Sequence, residues 1–237
     1  DGTKLLTGHR TNYLKLWDIE SGSVIFRSRL STGAKSGRDK NSGFDCQRAI
    51  FSPDENVIAT IVDGRAARIL DARTGKLLQE LVHDDVVNDL NFSSDGRRIV
   101  IAYQGDAAIV WDTRTGEKLK TYEKPFHSDY SGHPGITKAL YSPDDSKLLL
   151  VGHYGIGLID LSTDEEWGNS LFEMPIEHTI FSQDSNYLII SHQSVFDSEG
   201  THVWDLKSGK FASRNAGYLQ SKNGIAGKRP YLALWDE

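Results

Sequence analysis

The residues with the widest chemical range in this chain are its histidines. Three follow a small residue at recurring positions: Gly8-His9, Gly152-His153 and Ser191-His192. An imidazole changes charge near neutral pH and is the commonest metal ligand. A metal centre built from them would need His153, His192 and a third ligand such as His133. The reading adopted is the simpler one, that these histidines occupy equivalent positions of a repeat and hold no metal. Asp84-Asp85 reads as a solvated turn and Cys46 as a small residue beside an inner strand. No H-E-x-x-H metal site, G-x-S-x-G nucleophile elbow or paired-cysteine zinc spacing occurs. Gly224-Ile225-Ala226-Gly227-Lys228 lacks the four-residue spacer and the following Ser or Thr of a phosphate loop. The expectation is therefore a protein with no catalytic residues and no cofactor.

Composition narrows the partner class. The chain has 237 residues, 25% of them charged and 38% hydrophobic, with a formal net charge of −6. That is globular composition, and it carries no basic footprint for nucleic acid. No apolar run approaches the roughly 18 residues of a membrane helix, so no membrane partner is expected. One cysteine excludes an internal disulfide and suits a reducing, cytoplasmic compartment.

The elements that would position such residues come from an internal repeat. One signature is an aromatic residue, Ser, and a turn with Asp: Phe51-Ser52-Pro53-Asp54, Phe92-Ser93-Ser94-Asp95, Tyr141-Ser142-Pro143-Asp144 and Phe181-Ser182-Gln183-Asp184. The other is a large apolar residue followed by Asp: Trp17-Asp18, Leu70-Asp71, Trp111-Asp112, Ile159-Asp160, Trp204-Asp205 and Trp235-Asp236. From turn Asp to the large apolar residue the intervals are 16, 16, 15 and 20 residues, and Asp1 lies 16 before Trp17. Successive turns are 41, 49 and 40 residues apart, matching the roughly 40–45 residues of one four-stranded propeller blade. Apolar runs flank each Ser-Asp turn, such as Val57–Val62 and Ile99–Ala102, and their near-continuous character predicts strands covered on both faces. A third strand ends at each apolar-Asp pair. A glycine turn and a more polar fourth strand follow, as at Lys76–Leu81.

These motifs, in this order and spacing, resemble the WD-repeat family over nearly the whole chain. The resemblance implies an all-β fold, a β-propeller of four-stranded antiparallel blades with strands a to d running outward from a central channel. Five units are clear and one is degraded, in a ring that is commonly seven-bladed in the family. The predicted blades are 1–30, 46–82, 83–124, 133–174 and 175–213, with a partial unit at 214–237, in one propeller domain spanning 1–237. The first unit lacks its inner strand and the last its fourth, so the chain is expected to be part of a longer one with flanking domains. The family's blade-tying set of His, Asp, Ser or Thr and Trp is patchy: His83 and His133 are candidate first members, with Asp63 or Asp106 as turn acids. Apolar packing is expected to hold the blades, with Trp17, Trp111, Trp204 and Trp235 in the core. Trp167 is placed in the connection after the third strand of the fourth unit.

Family topology puts the d–a and b–c connections on one face, the top. Two d–a connections are long, about 31–45 and 123–135. Long loops on a rigid scaffold often carry binding function. The candidate partner-binding residues are Lys35, Arg38, Lys40, His127, Tyr130, His133, His153, Tyr154 and His192. The expected function is a non-catalytic scaffold binding a protein or peptide through this face. A metal-dependent or other enzymatic site on the same face, and a purely architectural role, are the alternatives.

Overall fold

The computed structural model describes residues 2–9, 13–30, 48–62, 64, 66–82, 85–105, 107–123, 135–171, 175–192 and 200–213. Among them the chain forms five antiparallel sheets, each a meander of consecutive strands, and no helix. Sheet I holds β1 (Lys4–His9), β2 (Tyr13–Asp18) and β3 (Val24–Arg29). Sheet II holds β4 (Ala49–Phe51), β5 (Val57–Val62), β6 (Ala66–Asp71) and β7 (Leu77–Val82). Sheet III holds β8 (Val87–Phe92), β9 (Arg98–Tyr103), β10 (Ala107–Asp112) and β11 (Lys118–Glu123). Sheet IV holds β12 (Lys138–Tyr141), β13 (Lys147–Val151), β14 (Gly155–Asp160) and β15 (Glu165–Leu171). Sheet V holds β16 (Ile176–Phe181), β17 (Tyr187–His192), β18 (Gly200–Asp205) and β19 (Lys210–Ser213). This is the predicted stack of blades.

The two-residue period of a strand explains why the second strand of each blade reads as an unbroken apolar run. On β9, Ile99, Ile101 and Tyr103 pack against sheet II, while Val100 and Ala102 pack against sheet IV. The same alternation divides β5 between sheets I and III, and β13 between sheets III and V. Each fully buried Ile or Leu contributes about 1.5–3 kcal/mol. The residue before each strand-c Asp faces the preceding sheet: Leu70, Trp111, Ile159 and Trp204 are all under 10% exposed. Trp17 holds the equivalent place on sheet I, where its indole N–H donates to the Thr7 hydroxyl at 2.8 Å.

The Ser-Asp signature is a turn lock. Each Ser hydroxyl donates to the Asp two residues on, at 2.6–2.7 Å, in all four turns. Each Ser Oγ also accepts the N–H five residues ahead, which closes the hairpin. The strand-c Asp caps the next turn in the same manner, as Asp71 accepts from the N–H and hydroxyl of Thr74.

Among the described residues four that are not glycine have left-handed backbones: Glu55, Asp145, Asp164 and Ser185, with φ between 55° and 61°. The conformation is costly for a residue with a Cβ. All four bond the preceding blade through their side chains. Glu55 pairs with Lys4 at 3.1 Å. Asp145 accepts from the Ser94 N–H and hydroxyl at 2.9 and 2.7 Å. Asp164 accepts from the Tyr122 hydroxyl at 2.8 Å and pairs with Lys120. The Ser185 hydroxyl accepts from the Asp144 N–H at 3.1 Å. At the sheet II–III joint the equivalent turn position is Gly96, and the tie moves outward to the Gln79 amide, which donates to the Arg114 carbonyl at 2.7 Å.

Two expectations change. Trp167 lies within β15 rather than in a connection, because residues 161–164 complete the turn and Asp164 takes its left-handed position. Asp85 is no solvated turn residue: it is half-buried and accepts the Val86 and Gly105 N–H groups. The degraded unit at 214–237, with Trp235, lies outside the described residues, as do Cys46, His83, Asp63, Asp106 and Asp84.

Candidate functional site

An antiparallel meander puts alternate connections at opposite ends of each sheet. The Ser-Asp and glycine turns share one end, the bottom. The b–c turns and d–a connections share the other, the top. A repeated backbone bond joins neighbouring blades at the top. At the sheet II–III, III–IV and IV–V joints a residue at or shortly before the inner strand donates to a carbonyl in the previous blade's b–c turn: Val87 N–H to Gly64 at 2.6 Å, Gly135 N–H to Gln104 at 2.7 Å, and Ile176 N–H to His153 at 2.8 Å. Across these three joints the described b–c turns form one hydrogen-bonded frame.

Of the predicted site residues, the structure describes His153, Tyr154 and His192. Lys35, Arg38, Lys40, His127, Tyr130 and His133 lie outside the described residues. His153 and Tyr154 are half-buried in the β13–β14 turn, their rings edge-to-face at 4.6 Å. His192 closes β17 on the adjoining blade, paired across from Ile176. The Ile176–His153 bond thus brings the two blades' predicted residues to one stretch of rim. The ring partner of His192 is His202 on β18, with the Nε2 atoms 2.9 Å apart.

Inside the rim, one repeat position at the inner strands carries polar, ionisable side chains. Three residues before each aromatic of the Ser-Asp signature stand Arg48, Asp89, Lys138 and His178. Asp89 is 2% exposed, and the Arg48 guanidinium meets it at 2.8 Å. Burial raises the Asp89 pKa, and the Arg48 charge opposes the rise. Lys138 donates to the Glu177 carbonyl at 3.2 Å.

The bottom face holds two hollows. One, of about 360 Å³, is lined by Asn91, Leu140, Tyr141, Thr179, Ile180 and Phe181. The other, of about 890 Å³, lies at the sheet II–III joint beside Gly96. Its acids are turn locks: the Ser52 and Ser93 hydroxyls hold Asp54 and Asp95 below the usual carboxylate range, and the Thr115 N–H does so at Asp112. At Asp144 burial works to raise the pKa, but the bonds from Ser142 and Ser146 outweigh it and bring it to about 2. Carboxylates held ionised in this way are poor proton donors near neutral pH. Among the described residues no group of three or more His, Cys, Asp or Glu side chains is placed to hold a metal.

Similarity to known proteins fits this frame. WD repeat and SOCS box-containing protein 1 of Homo sapiens is 29% identical over 138 residues, covering 56% of this chain and 31% of the relative. COMPASS component SWD3 of Saccharomyces cerevisiae is 26% identical over 152 residues, covering 59% of this chain and 46% of the relative. The repeats are WD repeats. The WD-repeat chain thus spans less than half the length of either relative. No family model matches it. Among solved structures, Kuenenia stuttgartiensis hydrazine synthase superposes with a TM-score of 0.67 over 88% of this chain and 61% of that one, at 16% identity. That likeness shows the propeller fold alone.

Three features of the WD-repeat rim and joints escaped sequence reading. His202 carries no repeat signature. Arg48 and Asp89 become a pair only when inner strands of successive blades are aligned. The left-handed ties were visible as the residue after each turn Asp (Glu55, Gly96, Asp145, Ser185), a column with no shared chemistry.

Proposed function

We propose that this chain is a non-catalytic WD-repeat scaffold whose top face binds a protein or peptide partner, as part of a longer cytoplasmic chain. The observation that carries the reading is the top rim. Backbone bonds at three successive joints tie the described b–c turns to the next blade, and in the sequence two long d–a connections, about 31–45 and 123–135, belong to the same face by family topology. A rigid frame with long connections is how a binding surface is mounted on a propeller. The titratable side chains described here support the same reading, since the recurring acids serve turns and blade joints. One relative is named as a component of an assembly and the other as carrying a further box, in keeping with a propeller that works beside other parts.

The test is substitution on the top face. Arg38, Lys40, His127 and Tyr130 are replaced together by Ala, and His153 and Tyr154 in a second variant. A partner captured from native extract and identified should bind each variant at least tenfold more weakly, with thermal unfolding unchanged. Undiminished binding by both variants refutes the top-face assignment.

A further inference from the structure

His192 and His202 form a pair that the propeller fold does not require. In the antiparallel register of β17 and β18, His192 lies opposite Gly200 and Ile190 opposite His202. Residues 200 and 202 share a face, so the two imidazoles are diagonal neighbours on one side of the hairpin. Gly200 makes the approach possible. A Cβ at that position would clash with the His192 ring, meeting its Cε1 and Nε2. The ring lies across the bare glycine and points along the strand toward His202. Gly200 is not held there by backbone conformation, since its φ is not in the left-handed region.

The ring geometry is specific. The centroids are 5.0 Å apart with the planes 24° from parallel, and the Nε2 atoms are 2.9 Å apart. The difference of 2.1 Å between those separations is close to the combined distance from each centroid to its own nitrogen. Both nitrogens therefore lie near the line joining the rings, aimed at a common point. One ring donates an N–H there and the other presents its lone pair. A metal ion can take the place of that shared proton. Two Zn–N bonds of roughly 2.0–2.1 Å in tetrahedral geometry put the nitrogens somewhat over 3 Å apart, which needs only a small side-chain rotation. Both histidines are half-buried, at the rim rather than in the core, so water reaches the remaining positions. Neutral imidazole suits borderline ions such as Zn²⁺, Ni²⁺ and Cu²⁺ rather than Mg²⁺ or Ca²⁺.

We propose that His192 and His202 form a two-imidazole clip for a divalent transition-metal ion, with solvent completing the coordination. The site shares His192 with the candidate partner-binding face, but metal binding there needs no partner. It supplies half the ligands of a closed four-ligand site, so binding is moderate, with a Kd of roughly 1–100 µM. Filling it cross-links the rim ends of β17 and β18.

Isothermal titration of the full 237-residue chain with ZnCl₂ at pH 7.5 tests the clip. About one equivalent is expected to bind in the stated range. His192→Gln and His202→Gln should each weaken it at least tenfold. Gly200→Ala, which keeps both imidazoles and displaces one ring, should do the same, while His178→Gln on the neighbouring strand should not. Circular dichroism confirms that each variant is folded. Absence of binding by the wild-type chain overturns the proposal. So does binding by Gly200→Ala equal to wild type, or equal loss in His178→Gln, either of which identifies adventitious histidine binding.

Discussion

Replacing Asp145 by Gly separates the two sides of a left-handed inter-blade tie. The substitution relieves a backbone conformation that costs a residue with a Cβ about 1 kcal/mol. Glycine returns most of that gain through the extra freedom of the unfolded chain, about 0.5–1 kcal/mol. What remains is the loss of the bonds to Ser94, whose N–H and hydroxyl both donate to the Asp145 carboxylate. Hydrogen bonds to a charged group contribute roughly 1.5–3 kcal/mol each. Ser94 is exposed and its donors regain water, so the low end applies. Asp145→Gly should therefore destabilise by about 2–3 kcal/mol, a fall in Tm of roughly 5–10 °C for a chain of this size. Asp145→Asn keeps an acceptor and tolerates the left-handed region, so it should lose less than about 1 kcal/mol. Glu55→Gly is the contrast. Its pair with Lys4 lies at the surface and, screened by solvent, contributes little. That roughly balances the strain, leaving Glu55→Gly close to wild type. Urea denaturation followed by tryptophan fluorescence reads all three. If Asp145→Gly is as stable as wild type, or matches Glu55→Gly, the ties do not offset their backbone cost and the reasoning fails.

Three further outcomes follow from the same contacts. Arg48→Ala strands the buried Asp89 carboxylate and should cost about 3 kcal/mol at pH 7. Because burial raises the Asp89 pKa in the folded state, protonation favours folding there, and the loss should shrink as pH falls from 7 to 5 in parallel urea titrations. The turn-lock acids behave oppositely: their folded pKa values are lowered. Their contribution is complete above the ordinary carboxylate pKa and is lost as pH falls toward about 2, the Asp144 value. The urea midpoint should therefore drop steeply between pH 4 and 2, and less steeply in Asp144→Asn. Gly22 and Gly75 share the left-handed turn conformation, but a Cβ at Gly75 would strike the Phe26 ring whereas one at Gly22 meets nothing. Gly75→Ala should lower Tm by several degrees more than Gly22→Ala, and equal shifts would show that Phe26 moves aside freely.

The blades were legible because their signatures are local. A Ser hydroxyl locked to an Asp two residues later is a short-range bond, and it recurs wherever the four residues recur. The alternating burial of β9 was legible as a run of apolar residues. Contacts that depend on register between strands or blades were not. In sequence His192 belongs with His153 and His133, which family topology puts on the top face. Its ring partner is His202, which the long 20-residue interval of the fifth unit brings onto the strand beside it. The Asp164 tie was hidden because the other blades have glycine at that turn position, at 22, 75, 116 and 209. A replacement for glycine reads as a blemish in a repeat until the neighbouring Tyr122 is seen to bond it. Asp85 reads as a solvated turn for a related reason, since one of its two N–H donors comes from Gly105 in another turn.

The joints between blades do not share one solvent sensitivity. At the lower rim of the sheet III–IV joint stand Lys120 against Asp164 and Arg98 within 3.8 Å of Asp145. Dissolved ions screen such half-exposed pairs. At the same rim of the sheet II–III joint, Gly96 has no side chain to offer, and the described tie there joins an uncharged amide to a carbonyl. That joint also holds the Arg48–Asp89 pair, whose buried carboxylate is shielded from dissolved ions, and an apolar cluster running from Ala59 to Trp111 fills the rest of it. Apolar clusters line both joints and weaken alike on cooling. Salt alone tells them apart: seams that look uniform by repeat differ in how readily brine loosens their lower rim.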